Sequence, residues 1–241
     1  MPKLFVLPLL ACLMLSSGCG VIDSYFLPVS EDTVQEIYEN ANDYMLAKEY
    51  GKAADSYARI KDDYPFSPYA VEAELSLGDA YFLNEKYDKA AEAYKEFEGL
   101  HPRHEAMPYV LFQLGMSLKN SYRSVDQAAT GVSEAVDYFS RLQHGYPDTE
   151  YAAKVPEQIA ECRSLLAKRE VYIGDVFLSI ENYQSAWARY RYVTENYADV
   201  TDVAEYARKQ GETAYMRYRE KSAEDVREKR EGSWKDYFRW L

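Results

Sequence analysis

Histidine, cysteine and paired carboxylates are the residues through which this chain could do chemistry. His101-Pro102-Arg103-His104-Glu105 brings two imidazoles and a carboxylate within five residues, the composition of a metal pair. Pro102 breaks the helix that would align both rings on one face, and a fourth ligand is lacking. His144 stands alone at another corner. The sequence carries no glycine-rich phosphate loop, no serine nucleophile elbow and no Cys/His pairing. Asp62-Asp63, Glu72/Glu74 and Asp88/Glu92 fall where solvated helix faces are expected. No catalytic residue, metal site or cofactor is assigned, and the chain reads as a non-enzyme.

Recognition chemistry is better represented. An aromatic series crosses the N-terminal half, including Tyr38, Tyr44, Tyr50, Tyr57, Phe66, Tyr69, Tyr81 and Tyr94. Tyr44, Tyr57, Tyr81 and Tyr94 fit core packing. Phe66 and Tyr69 lie in Tyr64-Pro65-Phe66-Ser67-Pro68-Tyr69, a corner stiffened by two prolines. They either pack there or, with Tyr38 and Tyr50, line a groove for an extended peptide. A second set is Trp187, Arg189 and Tyr192, within Ala186-Trp187-Ala188-Arg189-Tyr190-Arg191-Tyr192; Arg and Trp are typical contact residues. The third is the tail, where Trp234, Tyr237, Phe238 and Leu241 follow i, i+3, i+4, i+7 spacing. It caps the last repeat, docks a partner or touches the membrane.

The elements that must position these residues follow from a repeat. A small residue, an aromatic or apolar one at +3, Ala at +12, an aromatic at +16 and Pro at +24 recur through the chain. The copies are Ala41, Tyr44, Ala53, Tyr57, Pro65; then Gly78, Tyr81, Ala90, Tyr94, Pro102. Next come Gly115, Leu118, Ala135, Phe139, Pro147, and finally Gly174, Phe177, Ala186, Tyr190, with Ala198 in the proline slot. Gly211 opens a worn fifth copy, 37 residues after Gly174. The pattern resembles the tetratricopeptide repeat, whose paired helices touch at small residues. The expected fold is an all-α helical solenoid of about five two-helix repeats, which presents concave binding surface. Copy three carries eight extra residues near Lys119–Gly131, a loop. Fourteen more between Pro147 and Gly174 predict one long helix over 150–181, with Cys162 in its apolar stripe.

The N-terminus is a secretory leader: Lys3, an apolar run over 4–15, then Leu15-Ser16-Ser17-Gly18-Cys19. The last five residues resemble a bacterial lipobox with Ser16 in the usual Leu place, which makes Cys19 the acylated first residue. The alternatives are an ordinary signal peptide or acylation at Cys12. The implied plan is a signal peptide over 1–18, a tether over 19–32 and repeats one to three over 33–147. Repeats four and five follow over 148–231, then an aromatic tail over 232–241. A formal charge of −12 speaks against nucleic acid as a partner.

Lipobox, tether, repeats, the corner Tyr-Pro-Phe-Ser-Pro-Tyr-Ala, the loop insertion and the helix carrying Leu166-Ala167-Lys168 together are similar to one family. It is the repeat lipoproteins of the outer-membrane β-barrel assembly machinery, matched over 19–220. The tail departs from that pattern. The resemblance implies a lipid-anchored, periplasmic-face outer-membrane protein without an active site. It implies C-terminal repeats that bind the barrel insertase, alongside accessory lipoproteins, with Arg189 at the basic position that contacts the insertase. It also implies N-terminal repeats that receive the targeting signal of unfolded outer-membrane proteins. The competing reading is another periplasmic repeat-scaffold lipoprotein, for pilus assembly or for coordinating cell-wall enzymes.

Overall fold

The computed structural model describes residues 33–231, so Cys19, the leader, the tether and the tail lie outside the described residues. Within them all regular structure is helical. The order is α1 (Val34–Leu46), α2 (Tyr50–Asp63), α3 (Ala70–Leu83), α4 (Tyr87–Leu100) and α5 (Met107–Ser121). Then follow α6 (Thr130–Gly145), α7 (Glu150–Ser179), α8 (Tyr183–Asn196) and α9 (Thr201–Glu231). The chain divides into two units between Ala73 and Glu74.

In the first unit α1 packs on α2. Thr33 and Glu36 start α1 with a reciprocal capping box. Ala41 and Tyr57 are buried where the two helices meet, and the Tyr57 hydroxyl donates to Asn42 Oδ1 at 2.6 Å.

In the second unit each helix packs on the next, from α4 through α9, the helix-pair order of a tetratricopeptide-repeat protein. A Cβ added to Gly78 would stand 2.6 Å from the Tyr94 ring. The corresponding distances are 2.5 Å from Gly115 to Phe139 and 2.8 Å from Gly174 to Tyr190. All three rings are fully buried, so the +16 aromatic lies flat on the backbone of the small residue.

The turn within a pair is equally regular. Lys48, Glu85 and Glu181 occupy one repeat slot and adopt left-handed φ of 59°, 57° and 59°. The following N–H returns to the carbonyl of the +3 residue, Tyr44, Tyr81 or Phe177, and closes the helix end. The third pair replaces this turn by residues 122–129, the loop the sequence predicts.

The expected long helix forms as α7, 30 residues and about 45 Å. Cys162, fully buried, lies on its packed side. Lys119 of α5 fixes its middle, donating to Gln158 and Glu161 at 2.5 Å each. The worn fifth copy supplies only one helix among the described residues, α9, with Gly211 against Tyr190 Cβ. Its last part, 219–230, is nearly all exposed and carries charge on most faces.

Two predictions follow from this packing. Gly78→Ala must push the Tyr94 ring aside and is expected to cost about 1–3 kcal/mol. Gly99→Ala meets nothing within 4 Å and should stabilise α4 by roughly 0.5–1 kcal/mol. Urea titration of the two variants checks the contrast. Burial raises the Asp79 carboxyl above its ordinary 3.8 against the lowering effect of the Tyr109 and Tyr94 hydroxyls. The folded protein thus holds a proton there that the unfolded chain releases, so this group's contribution to stability declines as pH rises above 3.8. Asp79→Asn should flatten that decline, read as melting temperature against pH.

Candidate functional site

Three buried-ring hydroxyls end on a side chain one place after the small residue. Tyr94 and Tyr109 both donate to Asp79 Oδ1, at 2.6 and 2.5 Å. Tyr190 and Tyr206 both donate to Asp175 Oδ1, at 2.5 and 3.2 Å. In the third pair the ring is Phe139, which has no hydroxyl, and the matching residue is Met116. The carboxylates therefore serve packing: each ties its own pair to the first helix of the next. Burial raises the pKa of Tyr94, Tyr109 and Tyr190, which keeps them as donors.

His101 and His104 are also committed to packing, whereas His144 is exposed and bonds to the Ser140 carbonyl of its own helix. His101 Nε2 donates to Glu74 at 2.7 Å, and its ring lies 4.8 Å from that of Phe97. His104 Nδ1 accepts from the Ala106 N–H. Among the described residues no group of three His, Cys, Asp or Glu is placed to hold a metal.

What remains open is surface. On α8 the residues the sequence groups together are parted, because positions two apart on a helix diverge by about 200°. Trp187 turns toward α9, where its ring lies 5.0 Å from Tyr215 and 6.4 Å from Tyr218, nearly parallel to the latter. Arg191 stacks over the same Trp187 ring at 4.9 Å. With Tyr190, Arg208, Gly211 and Tyr215 these residues line a groove of about 380 Å³. Beyond it Arg217 and Lys221 sit over the Tyr183 ring, at 5.7 and 5.6 Å.

Arg189 and Tyr192 lie on the other side of α8. Arg189 Nη1 donates to Glu170 of α7 at 2.9 Å and keeps 45% of its side chain exposed. Tyr192, 44% exposed, meets the edge of Tyr197 at 6.1 Å. Tyr197 in turn carries Arg163, whose guanidinium grips Asp199 through two bonds of 2.6 and 2.5 Å. That grip holds the Asp199 carboxyl below its usual value.

In the first unit the predicted peptide-contact residues also divide. Tyr38 and Tyr69 stack on each other at 5.0 Å, and Tyr50 is half-buried. Phe66 is wholly exposed, in a turn closed by the Ser67 N–H to the Tyr64 carbonyl. Sequence reasoning did not single out Glu170, Arg163, Tyr215 or Tyr218. Only the helical angle between Trp187 and Arg189 signals that two surfaces exist.

Fold and surfaces together define a tetratricopeptide-repeat protein. No described helix is long and apolar enough to cross a membrane. Residues 30–231 match the YfiO family, outer membrane lipoproteins, and the chain belongs to it. It is similar to the outer membrane protein assembly factor BamD of Neisseria meningitidis serogroup A, 24% identical over 196 residues, covering 77% of this chain and 73% of the relative. The factor of the same name from Vibrio cholerae is 24% identical over 204 residues, covering 80% and 83%. That from Rickettsia prowazekii is 29% identical over 152 residues, covering 62% and 60%.

Trp187→Ala removes a half-buried ring with two aromatic neighbours and is expected to cost roughly 1–2 kcal/mol. Tyr192→Ala, on the open side, should stay within about 0.5 kcal/mol of the native protein. Chemical denaturation of both tests whether the two surfaces differ as described.

Proposed function

We propose that this protein is a non-enzymatic scaffold of outer-membrane protein assembly, lipid-anchored through Cys19 at the periplasmic face. In this reading α7–α9 dock the barrel insertase, and accessory lipoproteins join the same complex. The N-terminal repeats receive the targeting signal of unfolded outer-membrane proteins. The observation that carries the reading is the half-exposed guanidinium of Arg189. It stands on an open helix face, in a family of outer membrane lipoproteins whose relatives are named as assembly factors. Phe66 supports the substrate half. A fully exposed ring held between two prolines offers an apolar contact, with little ordering cost, to an extended peptide that ends in an aromatic residue.

The test is affinity capture of the intact lipidated protein from detergent-solubilised outer membranes. The native protein should recover a large barrel protein, and Arg189→Glu should lower that recovery about ten-fold or more. Undiminished recovery with Arg189→Glu removes Arg189 from the interface. Recovery of pilus or cell-wall proteins in place of a barrel insertase overturns the function.

A further inference from the structure

The second half of α9 sorts its charges by face, in a chain whose net charge is −12. With 3.6 residues per turn, the sector within about 80° of Arg219 holds Tyr215, Met216, Val226, Arg227, Lys229 and Arg230. Between Tyr215 and Arg230 no carboxylate enters that sector. Glu220, Glu224, Asp225 and Glu228 all fall on the remaining surface, with Arg217 and Lys221, which sit over Tyr183. We propose that this face of α9 lies on an anionic membrane surface, its cations against lipid phosphates. The inference rests on the lipid anchoring proposed above and adds a second contact, which the anchor keeps within reach of the bilayer.

The face is open along its length. Met216 is 59% exposed and Val226 54%, and Arg219, Arg227, Lys229 and Arg230 are exposed beside them. Among the described residues the ion pair within α9 joins Arg208 to Glu212 at 3.6 Å, before this sector begins. Arg219 sits over the Tyr215 ring at 5.9 Å, and none of the sector's four cations enters an ion pair among the described residues.

Four cations interleaved with exposed apolar side chains suit a bilayer surface. Met216 and Val226 can enter the boundary below the headgroups while the long basic side chains reach the phosphates. The carboxylates on the opposite surface then point away from the membrane, which fixes the rotation of the helix. A protein carboxylate is held best by a guanidinium that its neighbours already order, and no carboxylate orders these. A mobile array of phosphates needs no such order. Each cation near an anionic surface raises affinity about five-fold, and salt screens the effect. Trp234, Lys235, Phe238, Arg239 and Trp240, outside the described residues, continue the same basic and aromatic composition in sequence.

The test uses the lipidated protein carrying Met216→Cys, labelled there with an environment-sensitive fluorophore; Cys162 is buried and stays unlabelled. It is reconstituted in vesicles of phosphatidylcholine alone or mixed equally with phosphatidylglycerol. Emission should shift to the blue on the mixed vesicles only, and the shift should vanish at about 0.5 M NaCl. Arg219→Glu with Arg230→Glu should abolish the shift. Arg219→Lys with Arg230→Lys should keep it, because charge and not fork geometry is required. No shift on mixed vesicles overturns the inference. An equal shift on phosphatidylcholine that charge reversal leaves unchanged overturns it as well. A shift produced by purified insertase in detergent, and not by vesicles, gives the face to a protein partner and overturns the lipid assignment. Flotation with phosphatidylcholine vesicles reports the anchor by itself, so a failure of the anchoring reading is seen separately.

Discussion

Everything in the second unit depends on how closely an aromatic ring can approach a helix backbone. Where Gly78, Gly115 and Gly174 stand, a single added carbon would sit at 2.5–2.8 Å from Tyr94, Phe139 or Tyr190. Real carbon contacts do not reach that distance, so the small residue sets the separation of the paired helices. The ring then fills the seam that two bare helices would leave void. Each seam is short, and the core is a series of such seams. That explains why Tyr57, Tyr94, Phe139 and Tyr190 are among the largest fully buried side chains, with no single central cluster needed.

The hydroxyl of the same ring links one pair to the next. Asp79 gathers Tyr94 from its own pair and Tyr109 from the following one, and Asp175 does the same with Tyr190 and Tyr206. A carboxylate inside a seam is costly unless several donors reach it. Two phenols offset part of that cost, though at Asp79 burial still outweighs them. Where the ring is Phe139 the acid is absent too, so the third pair avoids an unsatisfied group by omitting both members. The same pair exchanges the left-handed turn for the loop that Arg169 holds. The third pair is thus joined to the fourth by different chemistry from that joining the second to the third.

Much of this was legible in the sequence. The repeat slots named the seams, eight extra residues marked the loop, and fourteen extra residues without loss of helical phase marked α7. Buried rings and small residues are visible because their spacing recurs. The Asp79 and Asp175 bonds were hidden because one acidic residue beside a glycine looks like any solvated charge. The left-handed turns were hidden because Lys48, Glu85 and Glu181 are not residues that announce positive φ. At the surface, the sequence grouped Trp187, Arg189 and Tyr192 as candidate contact residues. It could not show that α9 takes the first and leaves the others facing α7 and solvent, because that depends on which neighbour arrives.

The tight seam around α7 also has a chemical consequence. Cys162 has no exposed surface, and burial pushes its thiol up to about 11 despite the pull of Lys119. At neutral pH it is almost wholly protonated, and neither an oxidant nor a second thiol can reach the sulfur. Its inertness is a property of the packing and lasts only while the helix stays seated. The rate at which this sulfur becomes reactive is therefore a clock for the opening of α7, kept by a residue that takes no part in recognition.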